Sequence, residues 1–115
     1  MKYFLLSCLI CLCSIVLFSQ EPVPLIEINS FGANPGNLKM FVHANDTKDT
    51  NKVPLVLVLH GCSESARGVS ELTGWNKLAD LHNFIVVYPQ QKLVNNPNLC
   101  FNWFLKQDID KGSGE

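Results

Sequence analysis

The sequence of 115 residues is 47% hydrophobic and 17% charged, and its formal net charge is −1. This composition excludes a disordered or low-complexity chain, because it supplies enough apolar side chains to offset the entropy lost when a backbone folds. The length suffices for one small domain at most. The near-neutral charge argues against nucleic acid as a partner, since neutralising phosphates needs clustered Lys and Arg.

The first twenty residues have the pattern of a secretory signal peptide. Lys2 is the only charge, an almost unbroken apolar run covers residues 3–18, and Ser19 is a small residue at a possible cleavage point. The apolar run is shorter than a bilayer crossing usually needs. We therefore expect residues 1–20 to be a signal peptide and the mature protein to be secreted or periplasmic, with no membrane attachment after cleavage. An uncleaved N-terminal anchor is the alternative, because Leu17 is large for a position near the cut.

Cysteine usage depends on this expectation. Three of the five cysteines lie within the first twenty residues, which leaves Cys62 and Cys100 in the mature part. Two cysteines in an exported chain are more typical of a disulfide than of a metal site or a redox pair. Two buried free thiols are the alternative.

The mature chain divides into an N-terminal arm with a first strand, residues 21–52, and a main domain, residues 53–115. Residues 21–37 contain three prolines and several turn signals, which predicts an extended arm or an edge strand. Residues 38–43 alternate loosely and predict a short strand. The polar segment 45–52 links it to the next strand.

Two fully apolar segments predict buried strands of a parallel sheet. Residues 54–59 and 84–88 are apolar at every position, as in strands that are buried on both faces, and Pro89 is expected to end the second one. A helix between them would make the right-handed parallel crossover of α/β sheets. No helix or strand is expected after residue 90.

The helix is predicted over residues 70–82, where apolar side chains recur at spacings of three and four. Ser70 is the expected N-cap and Asn83 the expected left-handed stop. Gly74 weakens the helix by about 1 kcal/mol relative to Ala.

Ligands of open α/β sheets bind at the carboxyl ends of the strands, so the segment after residue 59 is the candidate site. It begins His60-Gly61-Cys62. Gly61 permits a sharp turn, which leaves the amide of Cys62 free to stabilise a developing oxyanion. In α/β-hydrolases, one oxyanion donor comes from the loop after the third strand, where a His-Gly pair recurs.

Other chemistries fit the sequence less well. Ser63 lies in a near match to the Gly-x-Ser-x-Gly nucleophile elbow, but Ser65 replaces the final glycine and no helix follows at once. A Cys62 thiol nucleophile would be consumed by a disulfide. His43, His60 and His82 lack metal-ligand spacing, and the phosphate-binding glycine patterns are absent. We expect neither a metal nor a cofactor.

Five segments carry a family resemblance, and they are residues 55–62, 74–80, 84–90, 95–104 and 108–115. The most distinctive of them is the Asn-rich and aromatic segment 95–104. Taken in order, these segments resemble the N-terminal part of the secreted esterases related to polyhydroxybutyrate depolymerases and feruloyl esterases, which belong to the α/β-hydrolase superfamily.

The resemblance implies an α/β fold, the three-layer sandwich of the α/β-hydrolases, of which this chain supplies the N-terminal portion only. It implies an ester or polyester substrate and a serine nucleophile. The Cys62 backbone amide would be an oxyanion donor, with His60 and Gly61 shaping its loop. Cys62 and Cys100 occupy the family's disulfide positions. Trp103 would lie in the wall of the substrate cleft, with plain packing as the alternative.

The family's nucleophile elbow, acid and catalytic histidine have no counterpart up to Glu115, so no residue is assigned to the triad. The sequence is therefore interpreted as the first part of a serine esterase, and the 115-residue polypeptide alone is expected to be inactive. A non-catalytic truncated product, or a secreted binding fragment, is the rival interpretation.

Overall fold

The computed structural model of the chain describes residues 24–45 and 52–114, so the expected signal peptide lies outside the described residues. None of the helices in these two ranges is long and apolar enough to cross a membrane. The strands are β1 (Ile26–Ile28), β2 (Lys39–His43), β3 (Leu55–Leu57) and β4 (Ile85–Gln90). The helices are α1 (Ala66–Thr73), α2 (Trp75–His82) and α3 (Lys106–Ile109).

The four strands form one mixed sheet in the order β1-β2-β4-β3. β3 and β4 pair in parallel, with Val56 opposite Val86, which confirms the predicted parallel pairing of these two strands. β1 and β2 add to β4 in antiparallel fashion, and the pairing of Lys39 with Gln90 carries β4 past Pro89, where the strand was expected to stop. Because β3 and β4 run in the same direction, the residues that follow them meet at one edge of the sheet.

The helices α1 and α2 cover one face of this sheet. Val86 and Tyr88 of β4 form a buried cluster with Ala66 of α1 and Ala79 of α2. Burial raises the pKa of Tyr88 to about 12, because the phenolate would lose its hydration. The Tyr88 hydroxyl donates to Asn76 Oδ1 at 2.7 Å, so this buried polar group keeps a partner.

The other face of the sheet leaves β3 half uncovered. Val58 packs against the cluster that the helices cover, whereas Leu55, Leu57 and Leu59 are each more than half exposed. The prediction that residues 54–59 are buried on both faces is therefore wrong for the part of the chain that the structure describes. The reason is that only one helical layer is built from these residues.

The single helix predicted over residues 70–82 is also wrong, because α1 and α2 are separate. Gly74 adopts φ 72°, a left-handed conformation that ends α1 and begins α2. The N-cap is Ser65, whose side chain accepts from the Gly68 N–H at 3.0 Å. Ser70, the expected cap, is buried within α1. Asn83 ends α2 at φ 54°, as predicted.

The prediction that no helix or strand follows residue 90 is wrong for one short element. The segment from residue 91 to residue 105 is irregular, but α3 adds one helical turn of four residues.

Candidate oxyanion loop

The segment after β3 forms a tight turn at the carboxyl edge of the sheet. The Gly61 carbonyl accepts from the Glu64 N–H at 3.2 Å, and the Gly61 N–H donates to the Glu64 carboxylate at 2.9 Å. Ser63 adopts φ 60°, the positive value that the third residue of a type II turn requires. Cys62 therefore lies at the apex of the turn. Its N–H donates to no group within the described ranges and is available to a ligand.

A second loop, residues 91–105, is fastened to this turn by covalent and polar contacts. A disulfide joins Cys62 to Cys100, as the resemblance implied. Beside it, the Ser63 N–H donates to the Asn98 carbonyl at 2.7 Å. The two loops are thus joined at adjacent positions, and the Cys62 sulfur is not a free nucleophile.

His60 is 4% exposed and lies directly beneath the turn. Its Nδ1 is 2.7 Å from the Gly61 carbonyl oxygen, and its Nε2 is 3.1 Å from the Gln91 backbone nitrogen. The ring packs against Phe101, with ring centroids 4.9 Å apart. Both nitrogens are therefore occupied by the scaffold, so the imidazole is a structural part of the loop.

Two glutamines that the sequence analysis did not single out complete this arrangement. Gln90 Oε1 accepts from the Ala66 N–H at 2.7 Å, which fixes the start of α1. Gln91 is 2% exposed, and its side-chain amide donates to the Cys100 carbonyl at 3.2 Å. Their position in the sequence could have indicated this role, since they come directly after Pro89 at the carboxyl end of the second apolar strand, the edge where sheet ligands bind.

The hydroxyl of Ser63 points to the second loop. It donates to the Asn98 carbonyl at 3.4 Å, and it has neither a histidine nor a carboxylate partner among the described residues. A serine nucleophile needs such a base within hydrogen-bonding distance. This environment offers no support for Ser63 as the attacking group.

Trp103 lies on the side of the sheet that α1 and α2 leave open. It is 75% exposed and meets Phe104 edge to face, with ring centroids 5.6 Å apart. It borders a hollow of about 320 Å³. The walls of the hollow are mostly apolar and are formed by Leu38, Leu57, Leu59, Pro89, Phe101, Trp103, Asp108 and Ile109.

The three histidines lie in different surroundings. His43, at the end of β2, contacts the Asp80 carboxylate of α2 at 2.7 Å, while His82 is exposed at the end of α2. Within the two described ranges, no three His, Cys, Asp or Glu side chains are grouped as metal ligands would be.

Comparison with known proteins decides the family. The profile of the family described as "Esterase PHB depolymerase" matches residues 39–115, which includes the candidate oxyanion loop and the loop disulfide-bonded to it. The chain belongs to the PHB depolymerase esterase family.

The relatives that the chain resembles are carboxylic ester hydrolases by name. The chain is 47% identical over 97 residues to poly(3-hydroxyalkanoate) depolymerase C from Paucimonas lemoignei, covering 84% of this chain and 23% of that protein. It is 36% identical over 70 residues to feruloyl esterase B from Thermothelomyces thermophilus, covering 61% of this chain and 24% of that protein. The chain therefore spans about a quarter of the length of these relatives.

A solved structure supports the fold. The acetyl xylan esterase from Aspergillus awamori superposes with a TM-score of 0.51 and 27% identity, over 57% of this chain and 24% of that one. A little over half of this chain thus shares its fold with part of an esterase.

Proposed function

We propose that this chain is the N-terminal part of a secreted serine esterase that transfers an acyl group from an ester to water. In this reaction the Cys62 N–H stabilises the oxyanion of the tetrahedral intermediate. The observation that carries the proposal is the amide at the apex of the turn, which no described residue uses. Membership of the esterase family supports the reaction class. The apolar N-terminal segment supports export.

The chemical contribution of the loop follows from its rigidity. An oxyanion donor is effective when it is already oriented, because no reorganisation is then needed as charge develops. The turn at Gly61, the disulfide to Cys100 and the Ser63–Asn98 hydrogen bond supply that orientation. Loss of one such donor lowers kcat by roughly 10²- to 10³-fold in serine hydrolases. The loop accounts for one donor, and the nucleophile, the base and its orienting acid are not among these residues.

For the substrate, we propose a polyhydroxyalkanoate-like polyester, with feruloyl and small acyl esters as the next candidates. The relative with 47% identity carries a poly(3-hydroxyalkanoate) name, and the apolar hollow beside Trp103 would suit an aliphatic repeat unit. Leu59, the residue before His60, lines this hollow, so the hollow borders the segment that leads into the oxyanion loop.

We test the proposal on the protein expressed from its complete gene. Hydrolysis of a short-chain p-nitrophenyl ester, inhibited by a serine-directed phosphonate, is the expected result, together with release of soluble acids from a polyhydroxybutyrate film. A well-folded protein without activity on either substrate would refute the enzyme and favour the non-catalytic interpretation. The 115-residue polypeptide is the matched control, and we expect it to show no turnover, because it lacks a Gly-x-Ser-x-Gly nucleophile elbow.

A further inference from the structure

We propose that His60 and the Gln91 N–H are positioning groups that lock the Gly61–Cys62 peptide in the orientation needed for oxyanion binding. The proposal rests on the proposed function and adds to it the device that keeps the donor in place. Its starting point is the proton on the His60 ring. The Gln91 backbone N–H has a hydrogen to give and no lone pair to offer, so Nε2 of His60 must be the acceptor in their 3.1 Å contact.

The second ring nitrogen must then carry the proton. Nδ1 lies 2.7 Å from the Gly61 carbonyl oxygen, which can only accept. The Gln90 side chain agrees with this assignment. Its Oε1 accepts from the Ala66 N–H, which leaves its Nε2 directed at the unprotonated Nε2 of His60, 3.3 Å away. His60 is thus a neutral imidazole with its proton on Nδ1.

This tautomer controls the direction of the catalytic amide. The Gly61 carbonyl and the Cys62 N–H belong to one trans peptide unit, in which C=O and N–H point in opposite directions. When His60 holds the carbonyl oxygen inward, the N–H must point outward. The Glu64 N–H is a second tether on the same oxygen, but it is longer, at 3.2 Å, and comes from an exposed residue of the turn.

Gln91 is held in turn by its own side chain. The amide oxygen accepts from Asn95 Nδ2 at 2.7 Å, and the amide nitrogen donates to the Cys100 carbonyl at 3.2 Å. The same residue therefore fixes the backbone of both loops. The tautomer of His60 is consequently set by a buried part of the sheet edge and not by solvent.

Two substitutions of His60 separate its two hydrogen bonds. The side-chain amide of Asn is bonded to Cγ, as Nδ1 is, so H60N can still donate to the Gly61 carbonyl. The amide oxygen of Gln is two bonds from Cγ, as Nε2 of His is, so the side chain in H60Q can still accept from the Gln91 N–H. In that variant only the Glu64 N–H still donates to the Gly61 carbonyl. We expect H60N to keep about ten times the kcat of H60Q, a part of the ~10²- to 10³-fold effect of losing a whole oxyanion donor, with KM similar in both.

The measurement uses steady-state kinetics on the protein expressed from its complete gene, with thermal unfolding as the check on stability. Equal kcat values for H60N and H60Q, or a difference confined to KM, would overturn the positioning role. Nitrogen-15 NMR of histidine-labelled wild type reads the tautomer independently of activity, and a proton on Nε2 would contradict the assignment. A wild type without esterase activity but with a protonated Nδ1 would instead overturn the proposed function and leave the loop geometry standing.

Discussion

Removal of the disulfide between Cys62 and Cys100 tests whether the oxyanion loop depends on its link to the second loop. The variant is C62S/C100S, which keeps the Cys62 backbone amide and removes only the cross-link. The two cysteines are 38 residues apart in sequence. A loop of that length loses about 4 kcal/mol of closure entropy when the cross-link is made in the unfolded chain, so the free energy of unfolding should fall by up to that amount.

Without the disulfide, the contacts that remain between the two loops would hold the turn only weakly. The Ser63–Asn98 hydrogen bond at 2.7 Å still joins the two loops, but one such bond contributes only about 1 kcal/mol net. The turn would therefore sample other orientations. Since a misplacement of about 1 Å can cost ~10²-fold in rate, we expect kcat to fall by about tenfold or more while KM changes little.

Guanidinium unfolding and steady-state ester hydrolysis measure the two effects. Treatment of the wild type with a thiol reductant should reproduce both changes, and the double variant should not respond to the reductant. A C62S/C100S protein with wild-type kcat would refute the idea that the disulfide positions the amide, even if its stability is reduced. A free energy of unfolding equal to that of the wild type would refute the stabilisation expected from closure entropy.

Three further predictions concern the core, the cleft and the helix break. Burial raises the pKa of Tyr88 to about 12, so the folded state binds the phenol proton more tightly than the unfolded chain does. The free energy of unfolding, measured with urea, should therefore keep its full value below pH 10 and fall by about 1.4 kcal/mol per pH unit between pH 10 and pH 12. The Y88F variant should lack this slope, and the same slope in Y88F would contradict the assignment to Tyr88. W103A should raise KM for an aliphatic ester several-fold and leave the unfolding temperature unchanged, because Trp103 is exposed at the hollow. The control is L72A, which removes a still more exposed side chain on α1 and should alter neither quantity. Equal kinetics for the two variants would argue against a role of Trp103 in the cleft. G74A should lower the free energy of unfolding by about 1–2 kcal/mol in chemical denaturation. An added Cβ at Gly74 meets no atom within 4 Å, so the whole loss comes from the left-handed φ of 72°. G74N should lower the free energy of unfolding by less, and equal losses for the two variants would point to packing instead.

Local sequence signals predicted the elements whose causes are local. The apolar runs around Val56 and Val86 identified two strands, the segment between them identified the crossover, and Asn83 identified the end of α2. A backbone position that requires positive φ, or a run of β-branched residues, has the same preference in any fold. The sequence also placed the candidate oxyanion amide at Cys62, because a glycine directly after a strand permits a sharp turn and the resemblance to the esterases implied the same amide.

Elements that depend on several segments could not be predicted in this way. From the sequence, Gly74 is expected only to reduce the stability of one continuous helix. In the structure it separates α1 from α2, since packing both helices on β4 needs a change of direction there. The burial of residues 54–59 was overestimated for a related reason. An apolar strand shows that its faces can be covered, but not which segments cover them.

The sequence alone determined the family, the two parallel strands with a helical connection between them, and the residue types of the candidate oxyanion loop, because each of these is written in short contiguous patterns. Only the tertiary structure decided how the loop is held. Gln91 is 31 residues from His60 in sequence, and Asn98 is 35 residues from Ser63. Contacts across such separations arise when the parallel pairing of β3 with β4 brings two strand ends to one edge of the sheet, and no local propensity encodes that juxtaposition.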